Sequence, residues 1–207
     1  EGKMKKFRAF QITETDHQII GTLKNISMKD VNEGDVTIRV THSTINYKDA
    51  LAATGKGKIL RRYPLIGGID LAGVVEESLA TNFKKGDRVL VNGCGLSETR
   101  DGGYAEYAKV NKDSIILIPN NMSAYQAMQL GTAGYTAALA IHQMEQNGQT
   151  PANGPILVTG ATGGVGSVAI NMLSSKGYEV VALTGKTDKL EYLKNIGANQ
   201  VLMRDDL

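Results

Sequence analysis

Apolar and polar residues alternate with a period of two through Val36-Thr37-Ile38-Arg39-Val40, the spacing that puts every second side chain on one face of a β-strand. Shorter apolar runs recur at Gly73-Val74-Val75-Glu76, at Arg88-Val89-Leu90-Val91 after the Lys85-Gly86-Asp87 turn, from Tyr104 to Val110, and from Ser114 to Ile118 ahead of Pro119. Gly, Asn, Asp and Pro punctuate them, as they do between strands. The pattern predicts a twisted, partly closed β unit with little helix over residues 1–120.

Past Pro119 the period changes. Ser123 precedes an Ala- and Met-rich run, and Gly131 to Asn147 spaces its apolar residues for a helix that stops at Gly148. Pro155 to Thr159, Glu179 to Thr184 and Gln200 to Met203 read as short buried parallel strands, with helices at Gly163 to Lys176 and Lys189 to Ile196 between them. That βαβαβ order is the first half of a doubly wound nucleotide-binding sheet, so residues 121–207 are predicted to hold linking helices and an incomplete domain of this type. The fold class is α/β, and the remainder of the sheet is expected outside this sequence.

Composition narrows the partners. Twenty-three Lys and Arg against twenty-one Asp and Glu leave a net charge of +2, too balanced to advertise nucleic acid or an anionic membrane surface. No apolar run approaches the roughly 20 residues of a membrane span. The charged start carries no apolar signal region, and the single Cys94 has no internal disulfide partner. A small-molecule partner in a reducing cytoplasm is the expectation.

Gly160-Ala161-Thr162-Gly163-Gly164-Val165-Gly166-Ser167 joins the first buried strand to its helix. Glycines at such a turn let the backbone approach a pyrophosphate, and the exposed N–H groups at the helix start favour negative charge. The set Gly163, Gly164, Val165, Gly166 and Ser167 is therefore the predicted phosphate cradle; a tight turn without a ligand is the plainer alternative. The second strand ends Leu183-Thr184-Gly185-Lys186, where a carboxylate would be expected for NAD. Lys186, Lys189 and Tyr192 instead offer cations and a hydroxyl to a 2′-phosphate, which favours NADPH. Lys186 and Lys189 also suit a solvated helix face, and Asp188 between them would oppose a phosphate.

One Cys and three His cannot supply both a catalytic and a four-Cys structural zinc site, and Cys94, His17, His42 and His142 show no metal-ligand spacing. No metal is expected. Reduction of a conjugated double bond needs only hydride, donors for the developing enolate oxygen, and a proton. Thr44-Ile45-Asn46-Tyr47-Lys48-Asp49 is a polar cluster at the end of the Val36 strand, and Asn46, Tyr47 and Asp49 are the catalytic candidates. The alternative makes Asn46 a helix N-cap and Tyr47 ordinary packing.

The segments Asn46-Tyr47-Lys48-Asp49-Ala50-Leu51-Ala52, Thr54-Gly55-Lys56-Gly57-Lys58, Pro64-Leu65-Ile66, Gly68-Ile69-Asp70-Leu71-Ala72-Gly73, Gly131-Thr132-Ala133-Gly134-Tyr135-Thr136-Ala137 and Thr159 to Ser167 resemble the quinone oxidoreductase branch of the medium-chain dehydrogenase/reductase superfamily, and within it the acrylyl-CoA reductase (NADPH) subfamily. The likeness runs from Met4 to Leu207. It implies a GroES-like β domain, a Rossmann domain and NADPH in the cleft between them. Asn46 and Tyr47 would then line the nicotinamide site, with Thr132 near the nicotinamide ribose or carboxamide and Arg204 joining Thr184, Lys186, Lys189 and Tyr192 around the 2′-phosphate. Gly68-Ile69-Asp70 stands where zinc-dependent relatives carry Gly-His-Glu, so Ile69 replaces a zinc ligand. The implied activity is reduction of the C=C bond of an enoyl thioester, acrylyl-CoA to propionyl-CoA; quinone reduction and non-catalytic NADPH binding are the alternatives. Lys56, Lys58, Arg61 and Arg62 would meet the phosphates of an acyl-CoA or form a solvated loop. Members of this branch are commonly dimers, so a homodimer is implied as well.

Overall fold

The first strands form a hairpin, β1 (Lys6–Thr15) and β2 (Gln18–Ser27), that the sequence pattern does not announce. Its turn is Asp16-His17, both at positive φ (50° and 61°), a backbone usually signalled by Asn-Gly or Asp-Gly. Most of β2 faces solvent, so it lacks an apolar alternation, while β1 buries Phe7, Ala9 and Ile12. The computed structural model describes residues 6–206.

The alternating segment becomes β3 (Val36–Ser43), followed by α1 (Tyr47–Thr54), β4 (Leu65–Ile66), β5 (Asp70–Ser78), β6 (Arg88–Asn92), β7 (Tyr107–Val110) and β8 (Ile116–Leu117). Five of these strands make one antiparallel sheet in the order β7-β3-β5-β6-β8; β2-β1-β4 makes a second. Val36 and Ile38 point inward with Leu71, Val75, Val89, Val91, Ala108 and Val110, all at 1% exposure or less. Each of the valine, leucine and isoleucine side chains among them contributes about 1.5–3 kcal/mol when removed from water.

Three sequence expectations shift. The 114–118 run begins on the last residue of a 3-10 turn (Lys112–Ser114) and pairs only over the two-residue β8, whose Ile116 and Leu117 are exposed while Ile115 and Ile118 are buried. Pairing in β7 starts at Tyr107; the preceding residues serve β1 instead, through Phe10 N to Tyr104 O (2.8 Å) and Glu106 N to Arg8 O (3.1 Å). Helix α1 lies in a stretch read as nearly helix-free. It starts at Asn46 and ends at Gly55, whose φ of 69° is the left-handed stop that glycine permits.

Contacts divide the chain into Glu1–Thr132 and Ala133–Leu207. The long helix α2 (Ala124–Gln146) is interrupted at Gly131, where φ is 54° and ψ is −158°. Its first part belongs with the β unit, because Ala127 and Met128 pack on Ala72, Leu90 and Ile118. In the second unit β9 (Ile156–Val158), α3 (Gly164–Ser175), β10 (Val180–Thr184), α4 (Leu190–Asn195) and β11 (Gln200–Met203) follow in turn. The three strands are parallel in the order β11-β10-β9, over a core that includes Ile170, Leu173, Val180, Ala182 and Leu193. Among the described residues no helix is long and apolar enough to cross a membrane.

A Cβ at residue 131 would lie 2.7 Å from Thr44 Cγ2 and 3.0 Å from Asp70 Oδ2, in a backbone conformation that L-residues avoid. Gly131→Ala should therefore destabilise the first unit by about 1–3 kcal/mol. Urea unfolding would measure this, and an unchanged midpoint would show that the helix break re-routes without strain.

Candidate functional site

The loop after β3 and the first residues of β5 meet in the first unit around a carboxylate that is fully buried, Asp70. Thr44 Oγ1 donates to Asp70 Oδ2 at 2.7 Å and the Thr132 backbone N–H donates to the same oxygen at 3.0 Å. The Thr132 hydroxyl donates to Oδ1. Asn46 Nδ2 approaches Asp70 Oδ2 at 3.4 Å and makes closer bonds to Thr44 Oγ1 (2.7 Å) and Asp49 Oδ2 (3.1 Å).

Asp49 is also buried, and its acceptors are committed to local structure. Its Oδ2 takes the Asn46 backbone N–H at 2.8 Å and its Oδ1 takes the Ile69 N–H at 3.0 Å. Asn46 is the N-cap of α1, with the extended backbone (φ −118°, ψ 157°) of that position. For Asn46 the structure thus realises the capping alternative, while leaving the residue partly exposed. Tyr47 is not packing material: it is 80% exposed at the first position of α1. Of the sequence candidates, Asn46, Asp49 and Thr132 come together within the first unit, with Tyr47 adjoining them in the chain.

Tyr104 completes this cluster, and nothing in the sequence singles it out. Its hydroxyl donates to Thr44 O at 2.7 Å. Burial pushes its phenol above the usual range, and the Asp49 and Asp70 carboxylates push it further. The signal available in the sequence was only its place between Gly103 and the β7 segment; a Cβ on Gly68 would lie 2.6 Å from its ring, so Gly68 makes the room for it.

In the second unit a hollow of about 360 Å³ is lined by Thr159, Gly160, Thr162, Leu183, Thr184, Gly185, Lys186 and Arg204. Gly160 turns the chain at φ 58°, and a Cβ on Gly166 would lie 2.4 Å from Gly160 O, so α3 starts against the strand-loop backbone only because residue 166 has no side chain. Gly163 is the N-cap and no side chain caps the helix, which leaves the first-turn N–H groups of Gly164, Val165 and Gly166 for an anion. Ser167 follows in the same turn, its hydroxyl on Gly164 O at 3.4 Å.

At the end of β10, Thr184 Oγ1 accepts the Lys186 N–H at 3.1 Å and shapes the turn. A Cβ on Gly185 would lie 3.2 Å from Arg204 Nη2, so the glycine gives the guanidinium its place. The hollow's lining holds two cations and no carboxylate. Arg204 is loosely paired with the exposed Asp205 at 3.9 Å; Lys189, outside the lining, is ion-paired with Asp188 at 3.0 Å, a contact that also lowers the Asp188 carboxyl, and Tyr192 is half exposed outside the lining. The glycine turn, the open helix start and the paired cations fit a nucleotide bearing an extra phosphate.

Residues 32–120 match the alcohol dehydrogenase GroES-like domain. The chain is 47% identical over 201 residues to the Bacillus subtilis protein named "Putative quinone oxidoreductase YhfP", covering 97% of this chain and 61% of that protein. It is 45% identical over 185 residues to acrylyl-CoA reductase AcuI of Ruegeria pomeroyi, covering 89% and 56%. The yhdH oxidoreductase structure from Salmonella enterica in complex with NADP superposes with a TM-score of 0.94 at 43% identity, over 96% of this chain and 61% of that one. Residues 32–120 thus carry the GroES-like domain, and the chain as a whole is similar to oxidoreductases of the medium-chain dehydrogenase/reductase superfamily. Its β-rich first unit is a GroES-like domain and its parallel strands are part of a Rossmann-like sheet, as in those structures. Like other such superfamily matches, the B. subtilis yhfP structure with NAD bound, TM-score 0.95 at 46% identity, covers 98% of this chain and 61% of its own. The chain thus spans about three fifths of the length of these superfamily relatives.

The raised phenol gives a pH signature. Because the folded-state value of Tyr104 lies above its ordinary value of 10.0, its stabilising share is complete below that value and is lost as pH rises through the folded one. Stability should decline on the alkaline side of pH ~10, and Tyr104→Phe should flatten part of the decline. Equal slopes for the two proteins would show that Tyr104 ionises as it does in the unfolded chain.

Proposed function

We propose that this protein uses NADPH to reduce the activated double bond of an enoyl thioester, with acrylyl-CoA as substrate and propionyl-CoA as product. The observation that carries the cofactor half is the end of β10, where Lys186 and Arg204 line a hollow beside the glycine turn and no carboxylate stands in the lining. The 45% identity to an acrylyl-CoA reductase supports the substrate half. A quinone is the second reading, favoured by the 47% identity to a protein named for quinone reduction. A cytoplasmic location and a homodimer complete the proposal.

NADPH, when bound, supplies a hydride for the β-carbon; the α-carbon takes a proton. In this reading Gly163, Gly164, Val165, Gly166 and Ser167 hold the pyrophosphate, and Thr184, Lys186 and Arg204 hold the 2′-phosphate, with Lys189 and Tyr192 at its outer edge. Asn46 and Thr132 flank the nicotinamide. Asp49 fixes Asn46 in place, and the exposed Tyr47 hydroxyl delivers the proton. Lys56, Lys58 and Arg61 are exposed and suit the phosphates of a CoA. Arg62 is committed elsewhere, donating to Thr99 O at 3.0 Å and Pro64 O at 3.2 Å.

The full-length protein should consume NADPH with acrylyl-CoA, and quinone-only turnover would move the assignment to the second reading. The double variant Lys186→Ala, Arg204→Ala should lose about tenfold or more of its preference for NADPH over NADH, as expected when charge-assisted bonds to a phosphate are removed. An unchanged preference would place the 2′-phosphate elsewhere. Tyr47→Phe should slow turnover while leaving NADPH affinity intact; undiminished turnover would remove Tyr47 from the proton path.

A further inference from the structure

One charge beside the hollow of the second unit works against a phosphate. Lys186 stands in the lining, and two residues later Asp188 lies within the 3-10 turn Thr187–Lys189 that leads into α4. Asp188 Oδ2 meets Lys189 Nζ at 3.0 Å while the aspartate side chain stays 70% exposed. Lys189 most strongly, and Lys186 after it, hold the Asp188 carboxyl below its usual range, so it stays ionised while those cations are charged. No side-chain hydrogen bond caps either the turn or α4, so neither helical start is built on Asp188. Its exposure leaves it little to pack against. What the carboxylate does do is occupy Lys189 and face Lys186. Arg204, the other cation of the lining, keeps only the loose contact with Asp205 at 3.9 Å.

We infer that Asp188 is a specificity-determining residue that acts against the 2′-phosphate: it ties up Lys189 and lowers the positive potential at Lys186, so that NADPH is held more weakly than the cations alone would hold it. The inference rests on the NADPH reading above and deepens it. A phosphate arriving beside Lys186 meets a like charge on Asp188 and finds Lys189 already paired, and both effects oppose it. NADH brings no charge to that place. Asp188 therefore weighs on NADPH alone and narrows the preference that Lys186 and Arg204 create. Oxidised NADP carries the same phosphate, so the same carboxylate also hastens its departure.

Equilibrium titrations of the full-length protein with NADPH, NADH and 2′,5′-ADP test this. Asp188→Asn should lower the Kd for NADPH and for 2′,5′-ADP about two- to fivefold at low salt, the range expected for one exposed charge. The Kd for NADH should not move. The gain should shrink as ionic strength rises, because the charges involved are solvated. Asp188→Lys, which reverses the charge at a largely exposed position, should tighten NADPH further than Asp188→Asn does. An unchanged NADPH Kd in either folded variant overturns the inference, and so does an equal gain for NADH, which would place the effect of Asp188 elsewhere on the nucleotide. Failure of the wild type to bind 2′,5′-ADP would instead sink the cofactor reading, and the inference with it.

Discussion

A single buried carboxylate organises the first unit's polar centre. Asp70 sits at zero exposure and takes donors from the loop after β3 and from the residue after the break in α2. A carboxylate removed from water without partners costs several kcal/mol, so these donors have to be supplied together. That makes the arrangement of Thr44, Asn46, Gly131 and Thr132 nearly all-or-none. It also explains why helix α2 is broken where it is: a continuous helix would not turn the Thr132 N–H into Asp70, and any side chain at residue 131 would strike Thr44. The hydroxyl of Tyr104 seals the same loop by bonding to Thr44 O.

The hollow of the second unit is built on other terms. Its cations are exposed, its ion pairs are solvated, and its shape comes from backbone: a left-handed glycine at 160, a close approach at 166, and a gap at 185 filled by Arg204. Exposed charges of this kind contribute little to stability and are screened by salt. They can nevertheless discriminate between ligands, because a phosphate arriving among them brings the charge they lack.

Much of this was legible in the chain. The period-two run at Val36–Val40 and the three short apolar strands of the second unit are found within a residue or two of their expected places, although of those three only β10 has the expected burial: β9 exposes Leu157 and β11 contains no buried residue. The glycine turn was equally plain. The β1/β2 hairpin was not, since β2 buries little and Asp16-His17 is an unusual pair at its turn. Helix α1 hid inside a polar cluster whose Asn and Asp suit both capping and chemistry. Asp70 and Tyr104 acquire their importance only from partners 24 to 62 residues away, which no local pattern reveals.

The place of β1 has a consequence for how the molecule comes into being. Its hairpin partner is next to it in sequence, but its other neighbours are not: β4 pairs with it from residues 65 and 66, Tyr104 and Glu106 bond to its opposite stretch, and Ala9 bridges to Ala105. Closing loops of that length is slow compared with forming a hairpin. On a ribosome the first strand is made earliest and satisfied last, with Phe7, Ala9 and Ile12 waiting uncovered until some hundred residues have followed. The β unit is therefore expected to gain its native order late and all at once, and its opening hairpin is the segment most in need of shelter during synthesis.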